Sequence, residues 1–197
     1  MAVLNQQCFK LYPLGLVTRS IVPRALLILC LFLSFCSATD AAPVRASEYE
    51  LKAAYLHRFA LFTDWPANTF TNAAQPLVIG ILGQDPFGSL LEKTISTEKV
   101  RGRSLEFRRS RTEIPPGCHI LYISPSEVDR LPSIHDHLKG SKTLTVSDMD
   151  EFCRRGGAIE FIRSGTKLNL GFNLVAIRRE GLSVNPGLLS VASFVLR

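Results

Sequence analysis

The sequence predicts one α/β domain: a largely parallel central sheet flanked by helices, with an antiparallel strand pair near its C-terminal edge. Three observations predict it. PLVIGILG (76–83) and HILYIS (119–124) are continuous apolar runs rich in branched residues, the composition of strands buried on both faces. Helix-like and strand-like stretches alternate along the chain, which is how helices come to cover a parallel sheet. Late in the chain, AIEFIR (158–163) and KLNLGFNL (167–174) read as two strands joined through Ser164–Gly165, a hairpin.

The chain opens with a segment that belongs to no domain. Residues 1–24 carry Lys10, Arg19 and Arg24 and no acid, and Ala25–Phe35 follows as eleven apolar or small residues. That layout predicts a secretory signal peptide over residues 1–38, cleaved after Ala38 or as late as Ala46. The apolar run is far short of the ~18–20 residues that span a bilayer as a helix. Lipidation at Cys36 is disfavoured because bulky Phe35 precedes it. The reading is therefore an exported, periplasmic domain over residues 47–197. From Thr39 onward 20 basic residues face 17 acidic ones, a net charge of +3, too mild to argue for nucleic acid.

SEYE (47–50) reads as a capping box that starts a helix. Along it Leu51, Tyr55, Phe59, Phe62 and Trp65 recur at helical spacing, and Pro66 disfavours helix at Trp65. A membrane-surface helix would need a basic polar face, whereas this one mixes Lys52, His57 and Arg58 with Glu48, Glu50 and Asp64, so the stripe reads as core. Trp65–Pro66 is the part expected to stay available for contact. After the first buried strand, SLLEKTIST (89–97) reads as a helix and SLEFRR (104–109) as an alternating edge strand. Residues 126–138 are helical in pattern but interrupted at Pro132, predicting a break or late start. TLTVS (143–147) is a short strand, Met149–Arg155 a short helix, and Pro186–Leu196 a closing helix.

The chemistry is sparse. GQDPFGSL (83–90) sits where a phosphate loop belongs but has Ser89–Leu90 where Lys and Ser/Thr are required, so it reads as a strand–helix turn. Asp148, Asp150 and Glu151 follow a strand; helix capping explains them more simply than a metal. His135 and His137 point to different helical faces. Arg101, Arg103, Arg108, Arg109 and Arg111 gather around the edge strand, as charge protection or as contact for an acidic partner. No catalytic set is evident, and neither a metal nor a cofactor is called for. Cys118 and Cys153 are placed at one edge of the sheet, where a disulfide competes with two separate thiols.

KAAYLHRFALFTDWP, PLVIGILGQDPFG, VRGRSLEF, CHILYIS, TLTVSDMDEFCRRGGAIEFI, LNLGFNLVAIRREGLSV and LLSVASFVLR follow in order the pattern of the YfiR family of periplasmic proteins, from about Tyr49 to the C-terminus. What the resemblance implies is regulatory. Similar proteins are small α/β domains that bind the periplasmic sensory domain of a membrane-bound diguanylate cyclase and hold it inactive. An outer-membrane lipoprotein can sequester them, and the redox state of their cysteines affects the folded form. This chain departs from the pattern at Gly80, where relatives commonly carry the cysteine that partners the one matched by Cys118. The residues expected to meet a partner or ligand are Trp65, Gly83, Asp85, Phe87, Arg101, Arg103 and Asp148. The alternative is a periplasmic small-ligand binder with a pocket near Gly83–Gly88 and Asp148, at the carboxyl ends of the strands.

Overall fold

The computed structural model describes residues 41–197, with only the backbone described for residues 41–47. The signal peptide expected over residues 1–38 lies outside the described residues. Helix α1 (Ala41–Phe62) is followed by β1 (Thr63–Asp64), a 3-10 turn (Ala67–Thr69), β2 (Leu77–Leu82), α2 (Leu90–Ile95), β3 (Lys99–Val100) and β4 (Arg103–Ser110). Then come β5 (Ile120–Ile123), a 3-10 turn (Pro125–Arg130), α3 (Leu131–Leu138), β6 (Leu144–Ser147), β7 (Ile159–Ser164) and β8 (Lys167–Asn173). The chain closes with α4 (Leu174–Arg179), β9 (Ser183–Val184), α5 (Pro186–Leu189) and β10 (Ala192–Leu196).

Eight strands form one sheet in the order β10-β8-β7-β6-β5-β2-β4-β3, and β1 pairs separately with β9. The five strands β4, β2, β5, β6 and β7 run parallel, and β8 turns back antiparallel on β7. The first of these five in sequence, β2, lies inside the sheet, with its successor β4 on one side and β5 on the other. That is the doubly wound arrangement, with a topological switch point between β2 and β5.

Period-two alternation sorts the side chains into two cores. Leu77, Ile79 and Ile81 of β2 and Ile120 and Tyr122 of β5 join α1, α2, α4 and α5 on one face. Val78, Leu82, Leu121 and Ile123 join Leu131, Ile134, Met149 and Phe152 on the other. On the first face Phe59 stacks on Phe161 at 5.7 Å and meets Phe172 edge-on at 6.5 Å, pairs worth about 0.5–1.5 kcal/mol each beyond the area they bury.

Several expectations are corrected. Helix α1 is already helical from Ala41, so Ser47 lies inside it and SEYE does not start it. The helix stops at Phe62 because Thr63 and Asp64 pair as a strand with Val184 and Ser183. Its buried face is Lys52, Ala53, Leu56, Phe59 and Ala60, about one residue out of step with the expected stripe. Leu51 and Phe62 are therefore exposed, at 44% and 39%.

Residues 149–156 form turns rather than a helix. Glu151 takes φ +58°, Cys153 N–H donates to Glu160 Oε2 at 3.0 Å, and Asn173 Nδ2 donates to the Cys153 carbonyl at 2.8 Å. Those long-range partners take main-chain groups that a helix would have used itself.

The closing segment is helical only over Pro186–Leu189 and then becomes β10, parallel to β8. Gly171 of β8 favours this edge: a β-carbon there would come within 2.4 Å of the Phe194 ring, so glycine lets that ring close on the strand. The break expected at Pro132 is present, as a 3-10 turn giving way to α3 with Pro132 in its first turn.

Candidate functional site

Four of the seven contact candidates, Gly83, Asp85, Phe87 and Asp148, meet at the carboxyl edge of the sheet beside the switch point. Gly83 ends β2 with φ +93°, and a β-carbon on it would come within 2.5 Å of Ser126 Oγ and 2.8 Å of Glu127. Conformation and space both demand glycine there. Asp85 then shapes the loop, its Oδ1 accepting the N–H groups of Phe87 (2.8 Å) and Gly88 (3.2 Å). This Asx turn aims Phe87 inward, where its ring meets Tyr49 and Tyr122 edge-on at 5.3 and 5.0 Å.

Two more of the loop's amides are engaged. Gly83 N–H donates to the Ser110 carbonyl at 2.9 Å and Gln84 N–H to Ser126 Oγ at 3.0 Å, while Pro86 has no N–H. A phosphate cradle needs such groups free and convergent, so the strand–helix turn reading fits the geometry.

Asp148 leaves β6 beneath this loop. Lys52 of α1 donates to its Oδ2 at 2.6 Å, Tyr49 donates weakly to the same oxygen at 3.4 Å, and the Tyr122 hydroxyl donates to Oδ1. Lys52 also pairs with Glu48 at 2.6 Å, and Arg163 reaches Glu48 at 3.3 Å. Lys52 is 2% exposed, so its charge needs both carboxylates. Burial pulls its pKa down, but the hydrogen bonds to Asp148 and Glu48 outweigh burial and leave it raised. Tyr122 is raised first by burial and then by the Asp148 charge, so it stays a donor.

Lys52 and Tyr122 were missed from sequence. Lys52 was placed on the solvent side of α1, and Tyr122 was one member of an apolar strand. The available signal was Lys52 one residue before the buried Ala53, on the side where helix meets sheet edge.

Above this network opens a cleft of about 790 Å³, lined by Glu48, Tyr49, Gln84, Phe87, Ser126 and Arg163 among others. Its place at the switch point is where α/β folds hold ligands. Among the described residues no three His, Cys, Asp or Glu side chains are grouped to hold a metal ion.

The other three candidates, Trp65, Arg101 and Arg103, lie together at the opposite, amino edge. Trp65 is half-buried, and its indole N–H donates to the Lys142 carbonyl at 3.1 Å. Arg101 pairs with Asp64. Arg103 donates through Nη1 to the carbonyls of Asn72, Ala73 and Gln75 and lies 3.9 Å over the Phe70 ring. Phe70 stacks in turn on His119 at 4.6 Å. The His119 Nδ1 accepts from Val78 N–H at 3.0 Å, and burial, aided by Arg103 and Arg108, lowers its pKa to about 4.

Cys118 and Cys153 are both free and buried, so the disulfide between them is not formed. Cys118 packs in the second core beside Gly80, whereas Cys153 donates its thiol towards the Ala158 carbonyl at 3.7 Å. Burial pushes both thiols up to about 12, which keeps them protonated and unreactive at neutral pH.

No helix among the described residues is long and apolar enough to cross a membrane. Comparison with curated proteins finds no relative. A family model described as YfiR/HmsC-like matches residues 49–193, and the chain belongs to that family.

Proposed function

We propose that this member of the YfiR/HmsC-like family is an exported regulator that binds the periplasmic sensory domain of an inner-membrane diguanylate cyclase and represses cyclic di-GMP synthesis. The family match over residues 49–193 carries the reading. Two features support it. Asp148, the acid best placed for chemistry, has both oxygens occupied by Lys52, Tyr49 and Tyr122, which suits an anchor between helix and sheet. Helix α1 also turns Leu51, Leu61 and Phe62 outward at 37–44% exposure, apolar area that a protein partner can cover.

On this reading no catalysis and no cofactor is required of the chain, and an outer-membrane lipoprotein that sequesters it would lift the repression. Deleting the gene should raise intracellular cyclic di-GMP and biofilm formation. Unchanged levels while a cyclase with a periplasmic sensory domain is expressed would overturn the proposal. The cleft at the switch point favours a second reading, a periplasmic small-ligand binder. A ligand retained in the cleft through purification would support that one.

A further inference from the structure

We propose that the amino-edge pocket between the end of α1 and the start of β4 binds a small carboxylate with a compact apolar body. The pocket holds about 290 Å³, at the lower end of the ~300–1,000 Å³ typical of ligand sites. Its lining combines apolar surface from Trp65, Phe70, Leu77 and Val100 with Thr63, Arg101 and Arg103. A few polar groups set into apolar walls is the usual make-up of a small-molecule site.

Two groups there are incompletely answered by the protein. The Thr63 hydroxyl is fully buried without a hydrogen-bond partner, a state that costs free energy until a partner arrives. Arg103 spends Nη1 on three carbonyls of the 72–75 loop, yet among the described residues no carboxylate pairs with it. Arg101 is already neutralised by Asp64, and His119 behind Phe70 is kept neutral. The pocket thus carries one uncompensated positive charge. One charge and apolar walls select a monoanion with a hydrocarbon body over phosphate, which would bring more charge and no apolar surface. A guanidinium with free N–H edges suits a carboxylate in particular.

Trp65, the only tryptophan in the chain, lines this pocket and serves as the reporter. The purified protein is titrated with 4-methylpentanoate, with its neutral amide 4-methylpentanamide, and with inorganic phosphate, following Trp65 fluorescence. The acid should give a saturable change, and the amide and phosphate should each bind about tenfold more weakly or worse. Thr63→Val, isosteric and free of the orphan hydroxyl, should hold or raise the melting temperature and weaken the acid about tenfold. The proposal is overturned by no saturable change at millimolar acid, by amide or phosphate matching the acid, or by a folded Thr63→Val that binds as wild type. If Thr63→Val does not fold, the comparison of acid with amide on the unaltered protein still decides.

Discussion

A β-carbon placed on Gly80 would overlap the Sγ of Cys118 and lie 3.5 Å from its Cβ. Gly80 pairs with Leu121 across β2 and β5, and Cys118 turns into the same core just before β5 begins. This separation falls at the short end of the ~3.5–4.5 Å between the β-carbons of a disulfide. The bridge that the resemblance to the YfiR family implies here would need the β-carbon and sulfur that Gly80 lacks, and the spacing of the two positions admits it.

Gly80→Cys should form that bridge on oxidation, observed as loss of two alkylatable thiols in mass spectrometry. Closing a loop of this length is worth about 4 kcal/mol in the chain-entropy model, less any strain. Gly80→Ala should do the opposite, overpacking against Cys118 at a cost of about 1–3 kcal/mol. Adding Cys118→Ala should recover much of that loss. Additive effects of the two substitutions in a denaturant melt would contradict the contact.

Lys52→Met should destabilise the domain by about 3–5 kcal/mol, because it leaves Asp148 and Glu48 without their shared cation. Asp148→Asn should cost less, since Lys52 keeps Glu48. The pH dependence has a definite sign. The folded-state pKa of Lys52 is raised, so the pair's contribution is complete below the ordinary lysine range and is lost as pH climbs through the raised value. The gap between wild type and Lys52→Met in thermal melts should begin to narrow only above about pH 10.5.

Acid acts through His119. Its folded-state pKa is depressed to about 4 from 6.5, so stability is complete above pH 6.5 and falls as pH drops towards 4. Protonation would replace the acceptor of Val78 N–H with a donor and set a cation beside Arg103 and Arg108. His135, also lowered by burial, contributes with the same sign. His119→Gln should flatten part of the slope between pH 6.5 and 4; an unchanged slope would place the acid sensitivity elsewhere.

Replacing Leu51, Leu61 and Phe62 together by Ser should leave stability within about 0.5 kcal/mol per site, as expected of exposed positions. On the regulatory reading the same variant should lose repression, measured as raised cyclic di-GMP at unchanged protein abundance. A folded variant that still represses would remove this face of α1 from the interface.

What could be read from sequence followed from local pattern. β2 and β5 were legible because branched residues occur on both of their faces, and the 164–166 turn because glycine marks it. The α1 stripe was read one residue out of step because aromatic size was followed, whereas the helix rotates to bury Lys52 against Asp148. The closing strand was misread because Gly171, which admits Phe194, looks in isolation like a weakness in β8. The turns of residues 149–156 depend on Glu160 and Asn173, groups that local reading cannot bring near Cys153. Of the candidate site, Gly83, Asp85, Phe87 and Asp148 were found from the loop and strand-end motifs. Their partners Lys52 and Tyr122 were not, because only the tertiary fold pairs them.

The ion pair between α1 and the end of β6 joins positions 96 residues apart. Synthesis runs from N-terminus to C-terminus, so the first helix of the domain holds an inward-facing ammonium with Glu48 beside it but with its second acid, Asp148, not yet made. Its firm docking must wait for most of the sheet to be made, and until then Leu56, Phe59 and Ala60 stay uncovered. The first helix of the domain is among the last elements to be committed, and a chain that has emerged only as far as β6 is the form most in need of a chaperone.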